Sequence, residues 1–259
     1  MISTLEPRDL GDIISDTFGI YRRHFIELSA ITAVVVVVLG VLSGIAALLA
    51  PETDNGAIEL TPLLFFLSIL DFVLTIVACP LMYGALFHAV SEQHFRQPVS
   101  FSRAYSYAWR RLGALIVSLI IYYLAIFIMA ITIILIPLAI YFGVRWAFFW
   151  QAVLLEGFDP VAALSRSSAL VKNNWWRVLG ITVVVLIIGA AINVVFWAIL
   201  RIAPTVGPTI GSTLGGIIAV PVVITGVTLL YYDLRVRKEG YNLETLAKEL
   251  NIDTSGHAA

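Results

Sequence analysis

A chain of 259 residues with 60% hydrophobic and 13% charged residues, and a mean hydropathy of +0.95, lies far from a soluble domain, which carries about 25% charged and about 45–50% apolar residues. That excess of apolar surface needs lipid as its solvent, and a net charge of −1 argues for neither a nucleic-acid nor an acidic partner. The single cysteine, Cys79, excludes an intrachain disulfide and points to no thiol metal site.

Met1 to Glu27 is mixed in charge and the first apolar run is long, so no cleaved secretory signal is expected. Within this stretch Leu10, Ile13, Ile14, Thr17, Phe18, Tyr21 and Phe25 recur at helical spacing, with Asp9 placed to cap the start and Arg22 and Arg23 at the end. The pattern predicts an amphipathic interfacial helix over about 9–26. Apolar runs long enough to cross the bilayer follow at 28–50 and at 62–90, the second interrupted by Asp71.

A second interfacial helix is expected over 100–111, where Phe101, Ala104, Tyr105, Ala108 and Trp109 oppose Arg103 and Arg110, with Ser100 as a cap and Arg111 at the end. The runs 112–136 and 138–155 come next, separated by Pro137, and the latter holds Arg145. As one helix they would extend about 66 Å, too far for one crossing, so a hairpin around Pro137 is expected, with a re-entrant segment as the alternative. The third interfacial helix, 159–175, starts at Asp159 and Pro160, and spans over 178–200 and 208–232 complete the set. A short cytoplasmic helix and tail are expected over 241–259.

The expected fold class is therefore all-α: a polytopic membrane helical bundle of about six transmembrane helices, forming a single membrane domain over 1–240. Six spans place all of the 16 Lys and Arg residues except Arg145 and Arg201 on one side, and the positive-inside rule makes that side, with both termini, cytoplasmic. Each pair of spans is led by an interfacial helix, so the chain parses into three amphipathic-helix-plus-hairpin units of like orientation, an internal repeat. Candidate lipid- or partner-binding residues on the basic face are Arg22, Arg23, Arg103, Arg110, Arg111, Arg166, Lys172, Arg177, Arg235, Arg237 and Lys238.

Charged groups inside spans cost several kcal/mol and usually face a partner or water. Measured from Pro62 and Leu138, Asp71 and Arg145 differ in depth by only about 3 Å, and Asn193 lies near the same level. The three form a candidate intramembrane polar cluster, either an interhelical clasp or a substrate or ion site. Gly40 and Gly44, and Gly211 and Gly215, have the spacing of close helix packing. Pro80 and Pro221 are expected to kink their helices. The four histidines have no metal-ligand spacing, and no Walker loop, zinc-protease motif or serine-hydrolase elbow is present, so neither catalysis nor a cofactor is expected.

Three stretches carry a family resemblance: DTFGIYRRHF from Asp16 to Phe25, LLEGFDPVAALSRSSALVKNNWWRVLGI from Leu154 to Ile181, and LLYYDLRVRKEG from Leu229 to Gly240. With the six spans they resemble the prokaryotic membrane proteins labelled as glycerophosphoryl diester phosphodiesterase membrane-domain proteins. In those relatives the membrane region is fused to a soluble catalytic barrel, for which the residues after Tyr232 leave no room. The resemblance thus implies an accessory or anchoring module of a prokaryotic cytoplasmic membrane, not phosphodiesterase activity. A non-enzymatic scaffold is the leading expectation, with membrane lipids, anionic ones included, and other membrane proteins as partners. A small transporter or channel using the polar cluster is the alternative.

Overall fold

The computed structural model describes residues 7–50, 61–93, 100–131, 133–203, 206–241 and 245. Within them the chain forms α1 (Leu10–Arg23), α2 (Phe25–Leu49), α3 (Pro62–Glu92), α4 (Phe101–Arg110), α5 (Leu112–Ala130), α6 (Ile136–Arg145), α7 (Phe149–Leu154), α8 (Pro160–Val171), α9 (Trp175–Leu200) and α10 (Gly207–Glu239). No strand occurs among the described residues. Six segments are long and apolar enough to cross a membrane: α2, α3, α5, the α6–α7 pair, α9 and α10. The protein is an all-α, multi-pass membrane bundle. Beyond Tyr241, the expected C-terminal helix and tail lie outside the described residues except for Thr245.

Helix ends follow local chemistry. The N–H of Asp9 donates to the Asp12 carboxylate at 2.9 Å, and Arg22 and Arg23 stand at the carbonyl end of α1, where the helix dipole favours cations. Thr61 caps α3 by accepting from the Leu64 N–H at 3.3 Å, with Pro62 in the first turn. Asp159 and Pro160 open α8 as the sequence suggests, although no side-chain hydrogen bond closes that cap. Gly240 ends α10 in the left-handed conformation, φ 62°, a geometry that costs glycine little. Both α3 and α10 continue through their internal prolines, Pro80 and Pro221.

One expected span is broken. Instead of running straight over 138–155, the chain ends α6 at Arg145, turns through 146–148 and restarts as α7. Ser167 of α8 holds that turn: its Oγ donates to the Arg145 carbonyl at 2.8 Å and accepts from the Phe148 N–H at 3.0 Å. Backbone groups freed by a break at membrane depth are tolerated where protein satisfies them in this way.

Small residues set the tightest contacts. α9 and α10 pack as an antiparallel hairpin in which Gly211 lies against the backbone of Phe196 and Trp197, and Gly215 against Asn193. On its other face α10 lays Thr213 against Gly40 and Thr209 near Gly44 of α2. Both glycine pairs are therefore used for packing inside the chain, where close backbone approach supplies the dispersion that lipid cannot.

The three short helices each bury their fourth and eighth residues: Ile13 and Thr17 in α1, Ala104 and Ala108 in α4, Ala163 and Ser167 in α8. They dock on α10, α3 and α7 respectively. The buried core gathers where those dockings occur, from Gly84 to Glu92 of α3, Ala152 to Leu155, and Thr228 to Arg235 of α10. The opposite half of α3 leaves Leu63, Phe65, Phe66, Ile69 and Phe72 exposed, an apolar surface suited to hydrocarbon.

Candidate functional site: the charged end of the bundle

The last turns of α10 make polar contacts with α3, α8, α9, the segment before α1 and the loop after α7. Asp233, with 0% exposure, accepts from the backbone N–H of Arg8 at 2.7 Å, from Arg177 Nη2 at 3.0 Å and from Arg237 Nε at 2.9 Å. The Arg8 carbonyl in turn accepts from both guanidinium groups, from Arg237 at 2.9 Å and from Arg177. One buried carboxylate thereby ties the segment before α1 to the start of α9 and the end of α10. A buried charge is stable only when paired and hydrogen-bonded as completely as this.

One helical face further round, Tyr231 Oη donates to Glu156 Oε1 at 2.7 Å, and Arg166 Nε of α8 donates to Glu156 Oε2 at the same distance. Arg166 also forms a two-pronged pair with Glu239, with Nη2 to Oε2 at 2.8 Å. Burial disfavours the charge on Arg166, but the hydrogen bonds and negative charges of Glu239 and Glu156 outweigh it and hold its pKa above the ordinary guanidinium value. Arg235 bonds Glu239 at 3.2 Å and lays its guanidinium 3.7 Å from the ring centre of Tyr241. Lys238 Nζ donates to the carbonyls of Ala169, at 2.9 Å, and Lys172, satisfying the end of α8.

The third contact set joins α3 and α4 to the same end. Glu92, 1% exposed, pairs with Arg103 Nη1 at 3.1 Å, and Tyr232 Oη donates to Ser91 Oγ at 2.6 Å. Tyr107 donates to the Leu154 carbonyl at 2.6 Å with its ring against His88. Tyr105 donates to the Ile31 carbonyl at 2.7 Å, and burial pushes its phenol up to about 12. Three acids that end apolar runs, Glu92, Glu156 and Asp233, thus each receive a group from the segment of a short helix: Arg103, Arg166 and the Arg8 N–H.

Of the basic residues singled out from sequence, Arg103, Arg166, Arg177, Arg235, Arg237 and Lys238 are engaged in these internal contacts. Arg22, Arg23, Arg110, Arg111 and Lys172 are exposed. Arg111 lies over Gly157, whose φ of 74° a larger residue would strain. Arg22, Arg23 and Arg110 have no acidic partner among the described residues; exposed Phe25 at the start of α2 follows the first two in sequence, and exposed Trp109 precedes the third in α4.

The intramembrane cluster does not assemble. No ion pair joins Asp71 to Arg145 among the described residues: Arg145 Nη1 reaches only Tyr141 Oη, at 3.3 Å, with the guanidinium over the Tyr141 and Phe142 rings. Arg145 ends α6, and its guanidinium folds back onto Tyr141 and Phe142 of the same helix instead of reaching α3. Asp71 keeps one buried carboxylate oxygen without a partner, and Asn193 is taken up in the α9–α10 contact.

Sequence reading assigned no site role to the acidic half of this end, Glu92, Glu156, Asp233 and Glu239, although the last three lie in the stretches that carry the family resemblance. Two signals mark it, namely acids closing long apolar runs and the four-residue spacing of Asp233 with Arg237 and of Arg235 with Glu239. Among the described residues no group of three or more His, Cys, Asp or Glu side chains is arranged to hold a metal ion.

No curated protein and no solved structure matches the chain. A family model described as "Domain of unknown function (DUF7847)" matches residues 108–237, from the end of α4 to the charged turns of α10, and the chain belongs to that family.

Proposed function

We propose that this protein is a non-enzymatic anchoring and organising module of a prokaryotic cytoplasmic membrane, with its charged end in the cytoplasm and a basic rim that engages anionic lipid headgroups. The observation that carries the proposal is the division of the cations. Those at the centre are neutralised by Asp233, Glu156, Glu239 and Glu92, whereas Arg22, Arg23 and Arg110 remain exposed near Phe25 and Trp109. Exposed Lys or Arg beside an anionic leaflet contributes about 1 kcal/mol each, and aromatic neighbours hold such helices at the interface.

An amphipathic role for α1, α4 and α8 fits the same reading, since each keeps a buried face at the same offset from its start. That shared offset, and the docking of each short helix on the closing helix of the preceding pair, with α1 completing the circle on α10, supports three repeated units. The resemblance to phosphodiesterase membrane domains agrees with an accessory module and supplies no hydrolytic group. Transport has less support, because Asp71, Arg145 and Asn193 do not converge.

Native mass spectrometry of the protein extracted with its lipids tests the proposal. Retained phosphatidylglycerol or cardiolipin is expected to fall when Arg22, Arg23 and Arg110 are replaced together by alanine, with zwitterionic lipid unchanged. Equal retention by both proteins would refute it.

A further inference from the structure

A cleft of about 490 Å³ opens on the flank of the bundle between α3, α5, α7, α9 and α10, within the about 300–1,000 Å³ of small-molecule sites. One wall is aromatic and braced: Tyr83 and Trp150 meet edge to face with centroids 5.7 Å apart, and Tyr123 stands beside them. The facing wall is built by Leu186, Ala190 and Asn193 of α9, while Gly189 is packed against Val223 of α10. At 1.5 Å per residue, Tyr83 lies about 13 Å along α3 from Glu92, and Asn193 about 24 Å along α9 from Arg177. With a hydrocarbon layer about 30 Å thick, the cleft opens into acyl chains.

Two unpartnered polar side chains stand next to residues of the cleft wall, outside the lining itself. Thr182 stands one helical turn before Leu186 of the cleft on the same face of α9, and its buried hydroxyl has no partner. Gln151 follows Trp150 directly, is 0% exposed, and has neither its amide nitrogen nor its amide oxygen paired. By helical rise Thr182 lies about 8 Å along α9 from Arg177, and Gln151 lies about 4 Å along α7 from its end at Leu154, next to Glu156 in sequence. Buried groups left this way mark where a hydrogen-bonding partner belongs.

We infer that the cleft binds one hydrocarbon chain of a bilayer lipid, entering sideways between α5 and α9, with the carbonyl or hydroxyl at the head of that chain at the level of Thr182 and Gln151. The aromatic wall supplies a rigid surface for the chain, and the small side chain of Ala190 leaves it room. This site recognises the chain and is independent of headgroup charge, so it stands or falls separately from the basic rim.

The test uses the full-length protein in nanodiscs of phosphatidylcholine carrying a photoactivatable diazirine on one acyl chain, a probe without net charge. After irradiation, peptide mapping is expected to find adducts on Tyr123, Trp150 and Asn193 in excess of those on Ile187 and Val194, which face lipid as ordinary exposed positions. Ala190→Trp, and separately Val220→Trp, fill the cleft and are expected to abolish the first set while sparing the second. Adducts in the parent protein no denser in the cleft than at Ile187 and Val194 overturn the inference, whether or not either variant folds. So does a cleft signal that survives in a folded variant, or cross-links from the cleft to another protein chain.

Discussion

The backbone N–H of Arg8 donates to Oδ1 of Asp233 at 2.7 Å across 225 positions of sequence. Because Arg177 and Arg237 bind the same carboxylate and also the Arg8 carbonyl, the segment that leads into α1 is locked to the last turns of α10. This closes the ring of helices, since α1 docks on α10 while α4 docks on α3 and α8 on α7.

Asp233→Asn preserves shape but leaves two guanidinium groups facing a neutral amide at a fully buried position. Removing one partner of a buried pair costs about 3–5 kcal/mol. The expected result is a marked drop in the thermal midpoint of the detergent-solubilised protein, read by loss of the monodisperse elution peak. Asp16→Asn, whose carboxylate is substantially exposed and pairs with the Arg8 side chain alone, is expected to change little. Equal midpoints for Asp233→Asn and the parent protein would remove Asp233 from its central role.

Tyr231 and Glu156 provide a measure of coupling. Tyr231→Phe keeps the ring, including its contact with Phe148, and deletes only the hydroxyl that donates to Glu156. A buried hydrogen bond to a charged group contributes about 1.5–3 kcal/mol. Combined with Glu156→Gln, the two losses are expected to be non-additive by at least about 0.5 kcal/mol in a double-mutant cycle of unfolding. Simple additivity would mean that Glu156 is held by Arg166 without help from Tyr231.

Much of this fold is legible from sequence because lipid imposes one simple rule: about 20 apolar residues per crossing. The five spans that run as single helices and the Asp159–Pro160 helix start follow from that rule and from capping chemistry. The break at 146–148 does not, because Ser167, which satisfies the freed backbone, comes from α8 and leaves no local mark. For the same reason Arg145 reads as mid-span. The charged end is half legible: cations draw attention by their bias to one side, whereas Glu92, Glu156 and Asp233 look like ordinary span-ending acids until their distant partners are placed beside them.

Gly211 tests whether the α9–α10 contact is as close as the backbone geometry requires. A Cβ there would come within 2.8 Å of the Phe196 carbonyl oxygen and the Trp197 Cα, backbone atoms that cannot swing aside. Gly211→Ala is expected to destabilise by about 1–3 kcal/mol, the usual cost of overpacking. Gly180→Ala, with open space around the added carbon, is expected to be neutral or stabilising, since alanine is the better helix former. If the two substitutions shift the thermal midpoint equally, the glycines are not packing determinants.

Asp71 carries the sharpest contrast between sequence and structure. A clasp with Arg145 predicts that Asp71→Arg combined with Arg145→Asp recovers what either single change loses. The absence of that pair among the described residues, and the unpartnered oxygen of Asp71, predict the reverse. A carboxylate within a span costs about 2.5–3.5 kcal/mol by insertion scales, so Asp71→Leu is expected to match or exceed the parent protein in membrane yield and thermal midpoint. The double reversal is expected to do no better than the worse single change. Full rescue by the reversal would establish the pair; a severe loss in Asp71→Leu without rescue would instead assign Asp71 a role in the membrane that its surroundings in the bundle do not supply.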